Sequence, residues 1–509
     1  MSGNPFKDLT FKPVWQARLG RWRDLALRPV RPSRVTPDRP GPANLLLVGI
    51  DTLRADHLGL GGYSGPTSPC LDHLAGRGTV FSDATAAAPW TLPSFSSALT
   101  GLMPGLHGAY LSGDIRNMDH QPPRRLADNV TTLATHLSGQ GYRTAAFYSN
   151  QFFAFGLAET FDHHSYHNLP AQDLSRLAED WIRRHSDRPW FCFVLFNDPH
   201  EPTTPPREDL DPFLPGAEAR GAAVDDAALR SYARWGEDGA PHLGRADAED
   251  PDLAAGLAVK LAVYDAAIHQ VDRAVGRLQD RLDNWGLAAR TLVSVFSDHG
   301  EEFRDHAGFA RSWNHDPRDI RGIGHGHTHF QELLHVPWVA WGPGVPSGQR
   351  CREPVSLCDL SPTLLDWLEL PALPRTEVPA ADGPLTAALC GHSQAAAAEG
   401  RDRDGDRLLL SEAIAFGPDL VALRRGRWKL IAHRDGRPLA LFDLLSGPEE
   451  QTDLAEANPE TVARLLADLT RWRESGTGAD GADRESDTGG WDDMNDEIRQ
   501  RLKDLGYSE

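Results

Sequence analysis

Two apolar-rich runs constrain this chain more than anything else in it. Asn44-Leu45-Leu46-Leu47-Val48-Gly49-Ile50 stops on Asp51, and Thr291-Leu292-Val293-Ser294-Val295-Phe296-Ser297 stops on Asp298-His299-Gly300. Runs of this kind read as strands buried on both faces, as inside a parallel sheet covered by helices. The segments between and beyond them alternate. Leu126–Gly139 reads as a helix, Thr144–Tyr148 as a strand, Leu174–Arg184 as a helix and Trp190–Phe196 as a strand. Leu253–Trp285 is a long helical run with Leu257, Leu261, Tyr264, Ile268, Val271, Val275 and Leu278 on one face, and Val336–Trp341 is a further strand. Strand–helix alternation of this length predicts an α/β fold, a mostly parallel sheet sandwiched by helices. Such a sheet delivers its strand C-termini to one edge, where ligands bind.

The 509 residues exceed one ordinary core, and length alone allows roughly three domains. The expected organisation is a basic extension over 1–43, a catalytic α/β domain over 44–393, a small α+β domain over 408–473, and an acidic flexible segment with a terminal helix over 474–509. In the extension, Phe11, Trp15, Leu19 and Trp22 recur at helical spacing among Lys12, Arg18, Arg21 and Arg23. That pattern fits a helix packed on the main domain or a basic helix on a membrane or partner. Two stretches, about 210–250 and Glu302–Ile323, read as lid loops. Past Arg407, short strands at Leu408–Ser411, Asp419–Arg424, Trp428–Ala432 and Leu439–Phe442 predict an antiparallel sheet, followed by a helix over Pro459–Trp472. Residues 474–490 are acidic and Gly-rich, the composition of disorder, and Met494–Leu505 reads as a helix.

A net charge of −20 argues against a nucleic-acid binder, because phosphate backbones need basic surface. The five cysteines form no CxxC pair and read as reduced thiols, not a disulfide framework or zinc site. No apolar run of about 18 residues marks a membrane span. No apolar leader is visible in MSGNPFKDLTFKPVWQ, so the expected location is cytoplasmic. The expected partner is a small anionic ester; homo-oligomerisation stays open.

Several segments carry chemistry. Asp51 ends a buried strand, where a carboxylate needs a partner or a metal; the alternative is a capping Asp. Thr91, in Ala88-Pro89-Trp90-Thr91-Leu92-Pro93-Ser94-Phe95, precedes a proline suited to the first turn of a helix. It reads as a group beside an anion-binding helix terminus or as a plain N-cap. Asp298-His299 pairs a carboxylate with an imidazole, a set that suits Mn, Zn or Fe better than Ca or Mg. His200, in Asp198-Pro199-His200-Glu201-Pro202, is a candidate general acid or a structural His in a stiff turn. In Gly324-His325-Gly326-His327 the glycines permit close backbone approach. His325 and His327 could bind substrate oxygens, protonate a leaving group or hold a second metal; some of the nearby His306, His315, His329 and His335 are bystanders.

These segments together resemble the sulfatases of the alkaline phosphatase superfamily along about residues 44–509. The matching pieces are NLLLVGIDTLRADHLG, APWTLPSFSSALTGLMPGLHG, GYRTAAFYSN, FNDPHEPTTPP, YDAAIHQVDRAVGRL, SDHGEEF, GHGHTHFQELLHVPWVAWGPG and SLCDLSPTLLDWLEL. RRGRWKLI, ALFDLLSGPEEQTDLAE and EIRQRLKDLGY resemble the family's C-terminal part. The resemblance implies an alkaline-phosphatase-like α/β domain with a small C-terminal antiparallel sheet, metal ligation at Asp51, Asp298 and His299, and a nucleophile at Thr91. True sulfatases carry C-x-P-x-R or S-x-P-x-R, whose first residue is oxidised to formylglycine. Here that residue is Thr91, which cannot form the aldehyde by that route, and the Arg position is Phe95. The second Asp of the usual pair is Thr52, and Ser149-Asn150 replaces the Lys and His of G-K-W-H-L-G. The metal set is similar to that of phosphoester-processing relatives.

The expected chemistry is therefore hydrolysis of phosphate di- or monoesters or phosphonate esters through Thr91. One divalent metal, Mn or Zn ahead of Ca, is held by Asp51, Thr91, Asp298 and His299, and a second through Asp198, His325 or His327 stays open. His200 and His325 are the expected acids, and Asn150, Ser94 and His327 the expected substrate-binding groups. Sulfate ester hydrolysis, transfer to an acceptor alcohol and an inactive binding relative are the alternatives.

Overall fold

The computed structural model describes residues 43–111, 113, 115–118, 123–233, 243, 252–309, 316–318, 322–374, 391–401 and 405–474. The expected basic helix before residue 43, and the acidic stretch and helix after Glu474, lie outside them. The strands in chain order are β1 (Asn44–Ile50), β2 (Thr79–Thr85), β3 (Ile115–Asn117), β4 (Arg143–Tyr148), β5 (His163–Tyr166), β6 (Trp190–Phe196), β7 (Thr291–Ser297), β8 (Glu302–Phe303) and β9 (Ile323–Gly324). They continue with β10 (His335–Trp341), β11 (Gln349–Cys351), β12 (Val355–Ser356), β13 (Leu408–Ser411), β14 (Phe416–Pro418), β15 (Leu420–Arg425), β16 (Trp428–His433) and β17 (Pro438–Asp443).

The large sheet has the order β11-β2-β10-β7-β1-β6-β4-β5, with β12 also on β2. Only β10 runs antiparallel to its neighbours. Alternate residues of β1 feed opposite cores: Leu45 and Leu47 face one layer, while Leu46, Val48 and Ile50 face the other. That continuous burial is why the run carries no polar alternation. The first layer holds α1 (Thr91–Thr100) and α2 (Leu133–Gly139); the second holds α3 (Ala171–His185) and α4 (Leu253–Asn284).

Register sets the functional edge. Ile50 pairs with Phe196 on one side and Ser297 on the other. Asp51, Asn197 and Asp298 therefore leave three adjacent strands at one level. On the far side of β6, β4 ends at Tyr148, opposite Leu195, and Asn150 follows two residues on.

Two local expectations are corrected. Residues 126–132 are not helical: Leu126 N donates to the Phe155 carbonyl and Ala127 N to the His107 carbonyl. The helix starts only after Thr132, whose hydroxyl accepts from Thr135 N. Of the expected lid near 210–250, residues 234–242 and 244–250 lie outside the described residues, and residues 210–233 are not a bare loop. Short helices at Arg207–Leu210, Leu214–Glu218 and Asp226–Ser231 bury Leu210, Leu214, Ala217 and Leu229 against Val259 and Val263 of α4. The second lid begins and ends in the β8–β9 pair. The small sheet, β13-β15-β16-β17, is antiparallel and carries the helix Pro459–Glu474 on its core. No helix among the described residues is long and apolar enough to cross a membrane.

Candidate functional site

Asp51 is fully buried where β1 turns. Its backbone N donates to the Phe196 carbonyl, and the next residue, Thr52, takes a left-handed φ of 58°. Tyr264 of α4 supports that turn, its hydroxyl donating to the Thr52 carbonyl at 2.6 Å. Asp298 and His299 follow β7 and are fully buried too. Thr91 is the first residue of α1, and the extended residue before it is Trp90. Trp90 is pinned by its indole N–H, which donates to the Ala413 carbonyl at 2.5 Å.

These groups converge on His299 Nε2. Asp51 Oδ1 lies 3.4 Å from it, Asp298 Oδ2 3.3 Å and Thr91 Oγ1 3.4 Å. His299 Nδ1 faces the Gly300 carbonyl at 2.9 Å, so the proton sits on Nδ1 and the Nε2 lone pair faces the cluster. Asp51 Oδ1 and both Asp298 oxygens are buried without a well-formed hydrogen bond; the backbone N–H groups of Thr52, Asp298 and His299 come near. Burial raises Asp51 to about 6; burial and the neighbouring Asp51 push Asp298 well above the carboxylate range. Burial also drives His299 well below the imidazole range, towards its neutral ligand form. Three carboxylate oxygens without a well-formed protein donor, together with an imidazole lone pair, make a donor set suited to a divalent cation. The ligand atoms of Asp51, Asp298 and His299 lie within 4.8 Å of one another, and no other such group occurs among the described residues.

Two histidines line the same centre. The His325 ring lies 4.5 Å from His299 and 4.9 Å from His200, centroid to centroid. His200 Nδ1 faces the Glu201 carbonyl at 2.6 Å. Burial opposes a charge on His200, but the Asp51 and Glu301 carboxylates outweigh it and hold its pKa above the usual range. Burial pushes His325 well below that range.

The other expected site residues lie one step back. The Ser94 hydroxyl donates to the Asp298 carbonyl at 2.6 Å, which fixes α1 to the end of β7. Asn150 Nδ2 donates to Asp51 Oδ2 at 2.5 Å and sits 3.4 Å from Thr91 Oγ1. His327 Nε2 faces Glu302 Oε2 at 2.7 Å. Asp198 turns towards α3 and α4, accepting from Ala171 N and Gln270 Nε2. His306 pairs with Glu332 and His335 with the Ser82 carbonyl. His315 lies outside the described residues.

Three groups escaped the sequence reading. Glu301 Oε2 lies 2.9 Å from His325 Nδ1, and Glu302 holds His327; the acidic pair and the GHGH segment meet across the β8–β9 ribbon, where Glu302 opposes Gly324. Two glutamates followed by two spaced histidines was the available signal. Asn197, at the end of β6, had none. Phe95 is no site residue: it packs edge-on against Phe153, Phe193 and Phe296. A Cβ at Gly49 would lie 2.7 Å from its ring, so the strand's glycine makes room for it.

The Sulfatase family model matches residues 43–370. Arylsulfatase K of Gallus gallus is 29% identical over 215 residues, 40% of this chain and 35% of that protein; the match thus spans about a third of the curated relative. Among solved structures, the phosphonate monoester hydrolase of Agrobacterium radiobacter superposes with a TM-score of 0.62 at 20% identity, covering 85% of this chain and 95% of that one. A protein solved with its substrate D-glucosamine-2-N,6-O-disulfate gives a TM-score of 0.65 at 15% identity, covering 87% of this chain and 100% of that one.

Proposed function

The chain belongs to the sulfatase family, and on that premise we propose that it is an ester-hydrolysing enzyme that cleaves phosphate diesters, phosphate monoesters or phosphonate esters with Thr91 as nucleophile. The observation that carries the reading is the place of Thr91. A hydroxyl that cannot become formylglycine stands at a helix start, 3.4 Å from the lone pair of His299, inside the Asp51–Asp298–His299 cluster. A threonine sulfate ester lacks the elimination route open to a formylglycine hydrate, whereas a threonine phosphoester can be displaced by water.

Asp51, Asp298 and His299 would hold the divalent metal, with Thr91 Oγ1 as fourth ligand. Bound there, the metal supplies charge that lowers the pKa of the hydroxyl and polarises a non-bridging substrate oxygen. The chain's own residues do the rest. Thr91 gives up its hydroxyl proton to water as Oγ forms a bond to phosphorus and the bond to the ester oxygen breaks in line. His200, whose charged form the Asp51 and Glu301 carboxylates favour, gives that oxygen its proton, so an alcohol leaves. Water then attacks the phosphothreonine at phosphorus and its proton passes to Thr91 Oγ, so that phosphate (from a monoester), a phosphate monoester (from a diester) or a phosphonate departs with Thr91 restored. The N–H groups at the start of α1 face developing negative charge beside Thr91.

Sulfate ester hydrolysis is the second reading, favoured by the name of the curated relative, arylsulfatase K. The deciding experiment compares p-nitrophenyl phosphate, a phosphodiester, a phenylphosphonate and sulfate after EDTA stripping, with Mn, Zn or Ca restored. Phosphodiester or phosphonate turnover restored by Mn or Zn with sulfate inert is the expected result. Sulfate turnover above all others would replace this reading with the second.

A further inference from the structure

The hydrogen-bond directions around Asn150 fix the orientation of a second amide at the end of β6. Phe152 N is a donor only, and it lies 2.8 Å from the Asn150 side chain; that contact must use Asn150 Oδ1. Asn150 Nδ2 is thereby turned towards Asp51 Oδ2, at 2.5 Å. The same nitrogen reaches the Asn197 side chain at 3.1 Å, so the atom it meets there must be the acceptor, Oδ1. Asn197 is then left with its Nδ2 pointing the other way, and no hydrogen bond from it to the described residues is formed. Asn197 is half-buried, while Asn150 is closed off from solvent. Register places Asn197 between the two groups it serves, because β6 lies between β1, which delivers Asp51, and β4, which delivers Asn150.

We propose that Asn197 is a substrate-binding residue whose Nδ2 donates to a non-bridging oxygen of the tetrahedral anion, with Asn150 as the positioning residue that aims it. The inference rests on the ester-hydrolase reading above. It divides one expected role between two amides. Asn150 has spent its donors on Asp51, Asn197 and the neighbourhood of Thr91, so it orders the nucleophile and a metal ligand. Asn197 keeps donors for the substrate, at the level where the strand ends converge. The ligand class is a tetrahedral oxyanion, phosphoryl or sulfuryl, bound through neutral donors.

The test uses the full chain reloaded with Mn and reads two things: the Kd of inorganic phosphate and of sulfate by calorimetry, and kcat and KM on the best p-nitrophenyl ester. Asn197→Ala is expected to weaken anion binding and raise KM by roughly tenfold to a hundredfold, the worth of one hydrogen bond to a charged oxygen, with metal content unchanged. Asn197→Asp separates this from a structural role. It keeps the oxygen that accepts from Asn150 and replaces the outward donor by a negative charge. It is expected to bind both anions more weakly than Asn197→Ala. Asn197→Asp equal to wild type, or Asn197→Ala within twofold of wild type in anion affinity and KM, would overturn the proposal, as would a loaded wild type that binds neither anion. Anion binding needs no turnover, so a wild type inactive on every ester sinks the hydrolase reading while the titration still decides Asn197.

Discussion

Two clusters of buried ionisable groups share the β8–β9 ribbon, and neighbouring glutamates belong one to each. Glu301 faces His325 and the Asp51–Asp298–His299 centre. Glu302 faces the second cluster: its Oε2 meets His327 and its Oε1 accepts from His306 N. There His306 Nδ1 meets Glu332 at 2.6 Å, and Lys429 of the small sheet meets Glu450 at 2.8 Å. Glu450 Oε2 in turn accepts from Gln331 N. Every carboxylate in that second cluster has a protein donor. In the first, Asp51 Oδ1 and both Asp298 oxygens have none that is well formed. Burial alone therefore does not mark a metal centre; what sets the first cluster apart is that oxygens of two carboxylates and an imidazole nitrogen without a well-formed donor meet at one point.

The two clusters should differ most at the nucleophile. Thr91→Ala removes one hydroxyl and no charge, so the fold should persist, while the rate on the best ester falls by about three orders of magnitude or more. A variant retaining a tenth of the wild-type rate would end the covalent role. The second cluster should respond in stability instead. Lys429→Met leaves the fully buried Glu450 without its cation and should cost about 3–5 kcal/mol, measured by urea unfolding, whether or not metal is present. The first cluster should show the opposite dependence. Adding Mn to stripped wild type at a hundred times its Kd should stabilise it by about 2.7 kcal/mol, and Asp298→Asn should abolish that gain. A metal-dependent loss in Lys429→Met, or a metal-independent one in Asp298→Asn, would erase the distinction between the clusters.

The parts of the fold legible in the sequence are those set by continuous burial. The runs at β1, β6 and β7 show as strands because both faces meet a core, and the residues just past β1 and β7 are the ones the structure brings together with Thr91. What stayed hidden depends on the direction of single hydrogen bonds. Leu126, Val130, Leu133 and Leu137 have helical spacing, yet the first two pack as loop because Phe155 and His107 take the backbone donors around them. The short helices between 207 and 231 have too few apolar residues each to show a period; they fold by sharing a core with α4. Asn197 looks like any polar residue after a strand, and only the chain of partners from Phe152 N through Asn150 gives its amide a direction.

Asp198 lies between the two cases. It stands two residues from His200 and would be the carboxylate of a second metal. Yet its Oδ1 accepts from Ala171 N at 2.9 Å and from Gln270 Nε2 at 2.7 Å, so the chain has supplied its donors. Burial raises it to about 7. An unfolded aspartate ionises near 3.9, so between about pH 4 and pH 7 the folded chain holds a proton that the unfolded chain has lost. Stability carried by this group therefore falls as pH rises through that window and levels off above it. Asparagine keeps the accepting oxygen and does not titrate. The Tm of Asp198→Asn minus that of wild type, both stripped of metal, should thus grow from pH 5 to pH 7 and stay flat to pH 8. The residue is not fully closed off from solvent, which limits the size of the slope. A difference that does not change with pH would mean that Asp198 is ionised in the folded chain, as a carboxylate poised for a second cation would be, and satisfied donors would then no longer separate structural carboxylates from metal ligands in this molecule.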